Sequence, residues 1–413
     1  MKDIELETFL WYGYLPMPSS GAISMHHLKR ENMSRVSIQE LVKKGIRVWQ
    51  DAVEASLISF GQDIAVPLSG GLDSRAILAG LLEHMSPSEI QTYTFGVPGT
   101  YDYEIGNLVA REAKTKHYQF DLSLYQYSFE NLLDISQRVA GRTVLFQHAP
   151  ISLIERRYSS KTSFWVGFMG DPLTGSHLLH EDSAMWDTAR TRFVARNRYS
   201  RSVILSTETF DPEFCLPESP LLDFNIICFD EQLDFSIRQE CYVKPLVLLK
   251  GYRYATPFLY PQWINFILSV PRQYRKNQLL YKQILKGAYP RFFSLPVKNN
   301  LGLPLTAPRW RRAVRRNVLR ARVAAKRFIP LFDSGVWPSI NYIDFDHGLR
   351  ERQDLKTVVY ENIHDLKKRN IVDWIDTENI WNCHQQCKGN YADALTLLAS
   401  LEINLKAQEV RVK

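Results

Sequence analysis

The segment from residue 69 to residue 74 holds the residues best suited to chemistry. It reads Ser-Gly-Gly-Leu-Asp-Ser and follows an apolar run that we predict to be a strand. Glycines let a backbone approach a ligand closely and adopt positive φ. Their N–H groups, with those of a following helix's first turn, would form an anion-binding nest. The residues expected to contact bound phosphates are Leu68, Ser69, Gly70, Gly71, Leu72, Asp73 and Ser74.

Asp73 is the unexpected member of this segment, because a carboxylate repels phosphate unless a cation lies between them. It predicts a Mg²⁺ ion that bridges the carboxylate and pyrophosphate oxygens. The segment is not a Walker loop, since it lacks the Gly-Lys-Ser/Thr ending. The alternative is a purely structural Gly-Gly turn with a serine or aspartate capping the helix.

Strands and helices alternate around this loop. Such alternation predicts an α/β fold in which a parallel sheet carries helices on both faces, and open sheets of this kind bind ligands where their strands end. Beyond about residue 180 the pattern becomes mostly helical. The predicted strands are 63–68, 90–95, 117–120 and 163–168, and the predicted helices are 36–59, 73–85, 102–114, 125–139 and 149–157.

Further blocks of sequence extend the similarity beyond the loop. They are residues 92–96, 102–104 with His117, 167–171 with Gly175, 256–259, 282–286, and 295–298 with 302–304. Together with the loop, these blocks resemble the synthetase half of asparagine synthetases and their relatives, which include β-lactam synthetases and lasso-peptide cyclases. The resemblance runs from about residue 10 to residue 305.

The resemblance implies an ATP-pyrophosphatase that activates a carboxylate as an acyl-adenylate, releases pyrophosphate, and passes the acyl group to ammonia or an amine. Its ligands would be ATP and Mg²⁺, with Asp73 and Asp171 at the metal. Phe95 and Gly167 would join the loop in binding the nucleotide. Lys298 would be the catalytic lysine over the phosphates and Lys282 a second cation, with Asp73 also part of the catalytic set.

Three positions depart from the family pattern. Phe168 occupies the place of the catalytic glutamate, Tyr260 replaces an aspartate, and Lys286 replaces an arginine. A general acid or base is therefore missing or relocated. Lys2 stands where the family has its glutaminase cysteine, so the chain resembles the synthetase half alone. We expect nitrogen from free ammonia, a separate glutaminase or an amine-bearing substrate.

The net charge of +7 comes from one segment of the 413-residue chain. Residues 309–327 hold nine basic residues and no acidic one, which leaves −2 for the remainder. Apolar residues recur there at helical spacing, which predicts an amphipathic helix. It could dock an anionic partner such as a nucleotide-sugar, a nucleic acid or an acidic membrane surface. Alternatively, it is a solvated helix that Trp310 packs onto the core.

The rest of the composition excludes several classes of protein. A hydrophobic content of 45% argues against disorder. No apolar run is long enough for a transmembrane helix, and the acidic N-terminus is unlike a signal peptide. We expect a cytoplasmic protein with three parts: a lead-in segment (1–60), the ATP-pyrophosphatase domain (61–305) and a helical extension (306–413).

The sequence thus predicts an AMP-forming carbon–nitrogen ligase of the asparagine synthetase type. Two other functions remain open. The Phe168 substitution allows a non-catalytic subunit that binds nucleotide, and the loop with the basic segment allows a tRNA-modifying enzyme of the same loop class.

Overall fold

A parallel five-stranded sheet forms the centre of the fold in the computed structural model, which describes residues 3–16, 28–148, 150–328 and 343–412. The strand order is β3-β2-β1-β4-β5, so the order reverses at the central strand β1. The crevice between the ends of β1 and β4 is therefore the position where such sheets bind ligands. The strands are β1 (Ile64–Pro67), β2 (Ile90–Gly96), β3 (Lys116–Asp121), β4 (Ser163–Trp165) and β5 (Arg253–Ala255).

The helices of the described residues form one set before residue 300 and a second set after it. The first set is α1 (Asp3–Tyr12), α2 (Ile38–Phe60), α3 (Asp73–Leu81), α4 (Tyr101–Ala113), α5 (Phe129–Arg138), α6 (Ile151–Glu155), α7 (Gly170–Leu173), α8 (Trp186–Asn197), α9 (Phe229–Leu233), α10 (Lys244–Val247), α11 (Pro261–Ser269), α12 (Arg272–Arg275), α13 (Leu279–Ala288) and α14 (Pro290–Phe293). The second is α15 (Arg309–Phe328), α16 (Phe345–Glu351), α17 (Gln353–Arg369), α18 (Thr377–Gln385) and α19 (Ala392–Val412). A π-helical segment, Asp234–Val243, joins α9 to α10.

Both faces of the sheet are covered, as β2 illustrates. Successive side chains of a strand point to opposite faces. On one face Thr94 lies against Gly106 of α4, where a Cβ would come within 2.6 Å of the threonine hydroxyl. On the other face the ring of Tyr93 packs on Tyr158, which follows α6, with centroids 5.3 Å apart. The predicted α/β fold with helices on both faces is therefore confirmed.

The C-terminal helices form a second core beside the sheet. Helix α19 lies between α17 and α5, and Leu395 and Leu398 on α19 are fully buried there. The mainly helical C-terminal part is thus confirmed, whereas the division at residues 60 and 305 remains a prediction. None of the helices in the described residues combines the length and apolar content that a membrane span requires.

The segment beyond residue 180 is mostly helical, as expected, and it also supplies β5, whose three residues are too few to show an alternating pattern. Helix α15 is not packed onto the core by Trp310, whose side chain is 65% exposed; Leu319, at 7%, is buried instead. The prolines, serines and glycine at residues 16–21 predict a loop, and this loop lies mostly outside the described residues. Residue 149 of the helix predicted at 149–157 lies outside them as well.

Candidate functional site

A cavity of about 470 Å³ opens at the crevice between β1 and β4. The loops that follow these two strands line it, together with Phe95 at the end of β2. Residues from the predicted site that line this cavity are Leu68, Ser69, Gly71, Leu72, Asp73, Ser74, Phe95, Gly167 and Asp171. The fold therefore brings most of the predicted nucleotide and metal residues to one place, although Gly70, Lys282 and Lys298 do not line it.

The loop after β1 is held by its own serines. The Ser69 N–H lies 3.3 Å from the Ser74 hydroxyl, and the Gly71 N–H lies 3.3 Å from the Ser69 hydroxyl. Helix α3 begins at Asp73 without a side-chain cap, so the structural alternative of a serine or aspartate cap is wrong. A hydroxyl that accepts one hydrogen bond can still donate another, which suits these serines to phosphate.

The expected positive φ of the two loop glycines is also wrong, because neither of them adopts it. Gly70 is needed for close approach instead. A Cβ on Gly70 would lie 2.9 Å from the Cβ of Lys298 and 3.0 Å from the carbonyl oxygen of Tyr101. A larger residue would push the loop away from the segment that carries Lys298.

Asp73 and Asp171 present two carboxylates to the same cavity. The chain after β4 approaches Asp73 so closely that a Cβ on Gly170 would lie 2.3 Å from its Oδ2. Removal from solvent, and then the charge of Asp171, raise the pKa of Asp73 well above its ordinary value, although the Tyr281 hydroxyl donates to Oδ1 at 2.9 Å. Asp171 accepts a hydrogen bond from Gln278 at 2.9 Å. Two carboxylates at one cavity fit a hard divalent cation such as Mg²⁺.

Lys298 is attached to the loop in two ways. Its backbone N–H donates to the carbonyl of Gly70 at 2.8 Å. Its ammonium pairs with Oδ2 of Asp102 at 2.7 Å. The other oxygen of Asp102 accepts the N–H of Gly70 at 3.1 Å. Asp102 itself lines the cavity, so the lysine lies immediately behind the cavity wall.

Arg75, which the sequence did not single out, fixes the chain that leads into Lys298. Its guanidinium is completely buried and donates to the carbonyls of Phe292, Leu295 and Pro296 at 3.1, 3.4 and 2.7 Å. Burial lowers the pKa of Arg75 to about 10, so the group remains charged at neutral pH. Helix α3 thus positions the loop 69–74 at its start and the lysine segment through its first turn.

Lys282 is placed differently from its predicted role. Its ammonium donates to the carbonyl of Asn277 at 2.7 Å and is half-buried. Burial, followed by the charge of Arg312, lowers the pKa of Lys282, while Asp171 opposes that shift. The lysine is therefore within electrostatic range of Asp171, but its contact is with the protein backbone.

The cavity is also lined by His177, which pairs with an aspartate that the sequence did not reveal as its partner. His177 Nδ1 lies 2.8 Å from Oδ2 of Asp234, the first residue of the π-helical segment. Burial alone would raise the pKa of Asp234, but the hydrogen bond and charge of His177, and then Arg238, hold it below its ordinary value. His177 and Arg238 line the cavity together with buried Phe168. His177 and Asp234 are 57 positions apart in the chain, which is too far for the spacing of the sequence to indicate the pair.

An apolar cavity of about 330 Å³ adjoins the first. The two share Pro67, Phe95, Val166 and Val247 as walls. The second cavity continues over the sheet face toward Tyr93 and Ile151. A polar end at the loop and an apolar end over the sheet match the two ends of a nucleotide.

Comparison with known proteins agrees with this part of the fold. Residues 47–142 match the family model of asparagine synthase. The match covers 96 of the 413 residues, and it includes the second half of α2, the loop 69–74 and the first three strands. A search of curated proteins found no match. The predicted resemblance is thus confirmed for this segment, which carries the signature of a family of ATP-using ligases.

Proposed function

We propose that this protein is an ATP-dependent ligase that activates a carboxylate as an acyl-adenylate and transfers the acyl group to ammonia or an amine. One observation carries the proposal: the loop after β1, the paired carboxylates of Asp73 and Asp171, and the Lys298–Asp102 pair converge at the switch point of the sheet. The family match to residues 47–142 supports it.

The proposed chemistry has two steps. A substrate carboxylate oxygen attacks the α-phosphorus of ATP, the bond to the β-phosphate breaks, and pyrophosphate leaves. An amine nitrogen then attacks the acyl carbon, and AMP leaves with the electron pair of the broken bond. The first step concentrates negative charge beside the loop, where fixed N–H groups and a lysine stabilise it most effectively.

Each residue of the loop wall has a role in the first step. The backbone N–H groups of the loop and the hydroxyls of Ser69 and Ser74 hold the pyrophosphate. Lys298 moves from Asp102 to the phosphates. Asp73 and Asp171 would hold Mg²⁺, which when bound neutralises phosphate charge. The apolar cavity beside Phe95 takes the base of the nucleotide.

The second step needs a group that removes a proton from the attacking amine, and Phe168 cannot do so. We assign this role to His177. Asp234 orients its ring through Nδ1, which directs the other nitrogen to accept a proton. Both His177 and the loop line one cavity, so the base and the adenylate share a compartment.

Exchange of radiolabelled pyrophosphate into ATP tests the first step, because it requires reversible adenylation. We expect a panel of carboxylates to contain some that stimulate exchange, and Lys298→Met to reduce that exchange by about a hundredfold or more. Lys367→Met is the matched control, since Lys367 also pairs with a carboxylate, at 2.9 Å from Glu378, but on the surface. Bound ATP without carboxylate-dependent exchange would contradict the proposal.

That last outcome would favour the second candidate, a non-catalytic subunit that binds nucleotide. Its specific support is Phe168, a buried hydrocarbon at the cavity wall where the resemblance places a glutamate. Persistent exchange would exclude it, since a subunit without chemistry cannot form ATP from pyrophosphate.

A further inference from the structure

Helix α15 turns its apolar side toward solvent. Trp310, Val314 and Val318 are 65%, 53% and 40% exposed. Their spacing of four residues places them in one row along the helix. Large apolar side chains are common at single surface positions. A continuous row that begins with a tryptophan instead indicates a surface that binds another molecule.

The opposite side of the same helix attaches it to the protein. Leu319 is buried, and it follows Trp310 by about two and a half helical turns, which places it on the far side. Arg315 is half-buried and donates to the Tyr101 hydroxyl at 3.4 Å. Among the described residues, the helix therefore packs through its basic side, and its apolar side faces outward.

Basic residues border the exposed row. Arg311 and Arg320 are both exposed, and the helical repeat places them on either side of the row. Residues 309–327 contain nine basic residues and no acidic one. An apolar stripe with arginines at its edges and a tryptophan near its start is the arrangement of a helix that lies in a membrane interface.

We propose that α15 docks this protein on an anionic lipid surface, as a peripheral helix lying in the plane of the bilayer. Trp310, Val314 and Val318 enter the boundary between headgroups and acyl chains, and the bordering arginines contact lipid phosphates. A nucleic acid would satisfy the same arginines but would leave the apolar row in water. Lipid is the occupant that satisfies both features.

The helix connects this surface to the cavity. Arg315 contacts Tyr101, and the next residue, Asp102, binds both the loop and Lys298. Arg312 lies near enough to Lys282 to affect its pKa. Docking would therefore hold the cavity beside the bilayer. The docking itself does not depend on the proposed function, because it rests on α15 alone.

Co-sedimentation of the full chain with lipid vesicles tests the proposal. We expect binding to vesicles of phosphatidylcholine with phosphatidylglycerol, and at least about tenfold weaker binding to phosphatidylcholine alone. The combined variant Trp310→Ser, Val314→Ser and Val318→Ser keeps every charge. It should lose at least about tenfold in affinity for the anionic vesicles.

Two controls give the result its meaning. Ile58→Ser with Leu124→Ser removes apolar side chains elsewhere that are more exposed than the row (85% and 80%), and this variant should bind like the wild type. Brominated lipids should quench wild-type tryptophan fluorescence more than that of Trp310→Phe, a readout that holds even if the triple variant folds poorly.

Three results would overturn the proposal. In the first, the wild type and the triple variant bind vesicles equally, and only the combined variant Arg311→Gln, Arg316→Gln and Arg320→Gln loses binding. This result would indicate a purely electrostatic surface. Another is a lipid-free dimer that the triple variant dissociates, which would assign the row to a second copy of the chain. The third is tight tRNA binding without vesicle binding.

Discussion

Asp102 joins the loop 69–74 to Lys298, because one carboxylate oxygen accepts the Gly70 N–H and the other pairs with the lysine ammonium. A single side chain thereby sets the distance between the two parts of the candidate site. The lysine is only 21% exposed and Asp102 only 13%, so the pair is shielded enough to hold a defined geometry. Bound phosphate would compete with Asp102 for the ammonium.

The variant Asp102→Asn tests whether Asp102 positions Lys298 beside the loop. Asparagine keeps an oxygen for the Gly70 N–H but no longer pairs with the ammonium. We expect carboxylate-dependent pyrophosphate exchange to fall by about tenfold to a hundredfold, because small misplacements of a catalytic group cost that much. Glu112→Gln, which breaks the surface pair with Arg291, should leave exchange unchanged. Equal losses in both variants would refute a positioning role.

Arg75→Met should affect stability and exchange together. Methionine fills similar space but leaves the carbonyls of Phe292, Leu295 and Pro296 without their donor. A buried carbonyl left unpaired costs up to about 1–3 kcal/mol. We therefore expect the free energy of unfolding, measured by urea titration, to fall by about 2–4 kcal/mol. Exchange should also fall, since these carbonyls precede Lys298. Normal exchange in a destabilised variant would show that the lysine segment is held by other contacts.

The sequence predicted the parts of the site that are local. The loop 69–74 and the strands β1 to β4 were identifiable because a strand, a glycine turn and a helix follow one another within a few residues. The pairing of Asp102 with Lys298 was not, because 196 residues separate them and only the folded sheet brings them together. The His177–Asp234 pair was hidden for the same reason.

Other failures have different physical causes. The sequence could show that 309–327 is amphipathic, but not which side faces the protein, because that depends on what the rest of the chain offers as a partner. Leu319 alone among the described apolar residues of α15 is buried, and Trp310 is not. The prediction of positive φ in the loop was also wrong. A glycine is required at position 70 because neighbouring atoms lie too close for a Cβ, and not because of its dihedral angles.

His117 should make the fold less stable in mild acid. Its Nδ1 lies 2.9 Å from the Thr92 hydroxyl and its Nε2 lies 2.7 Å from Asn107 Oδ1, as suits a neutral ring. Burial lowers the pKa of His117 to about 4, below the value near 6.5 of an unfolded chain. At pH values between these two pKa values, the unfolded state binds more protons than the folded state does. The stability from this group is therefore complete above about pH 6.5 and is lost as the pH falls toward 4.

Urea unfolding at several pH values measures this effect. From pH 6.5 to pH 5, His117 should account for a loss of about 1–2 kcal/mol, and His117→Gln should show a correspondingly shallower decline. His180→Gln serves as the control, because the His180 side chain is 89% exposed. An identical pH slope in wild type and His117→Gln would mean that the ring is not held neutral.

His177→Gln should impair the second step of the proposed reaction and leave the first step intact. Glutamine cannot accept the amine proton, so amide formation should fall by about a hundredfold. Adenylation does not use His177, so pyrophosphate exchange should persist. Hydroxylamine, a strong nucleophile that needs less help from a base, should still trap the acyl group as a hydroxamate. Loss of exchange in this variant would place His177 in the first step and contradict the assignment.

Asp73→Asn should stabilise the protein while abolishing its chemistry. Burial, and then the charge of Asp171, disfavour the charged form of Asp73 and raise its pKa, and a neutral amide removes that cost. We expect an unfolding free energy higher by about 1 kcal/mol in the absence of metal, from the size of such like-charge contacts.

Mg²⁺ should raise the melting temperature of the wild type, because a ligand that binds only the folded state stabilises it, and should raise that of Asp73→Asn much less. The exchange reaction should be lost. Glu83→Gln, at an exposed carboxylate outside the cavity lining, should respond to Mg²⁺ as the wild type does. Equal shifts in wild type and Asp73→Asn would show that the two aspartates do not form a cation site.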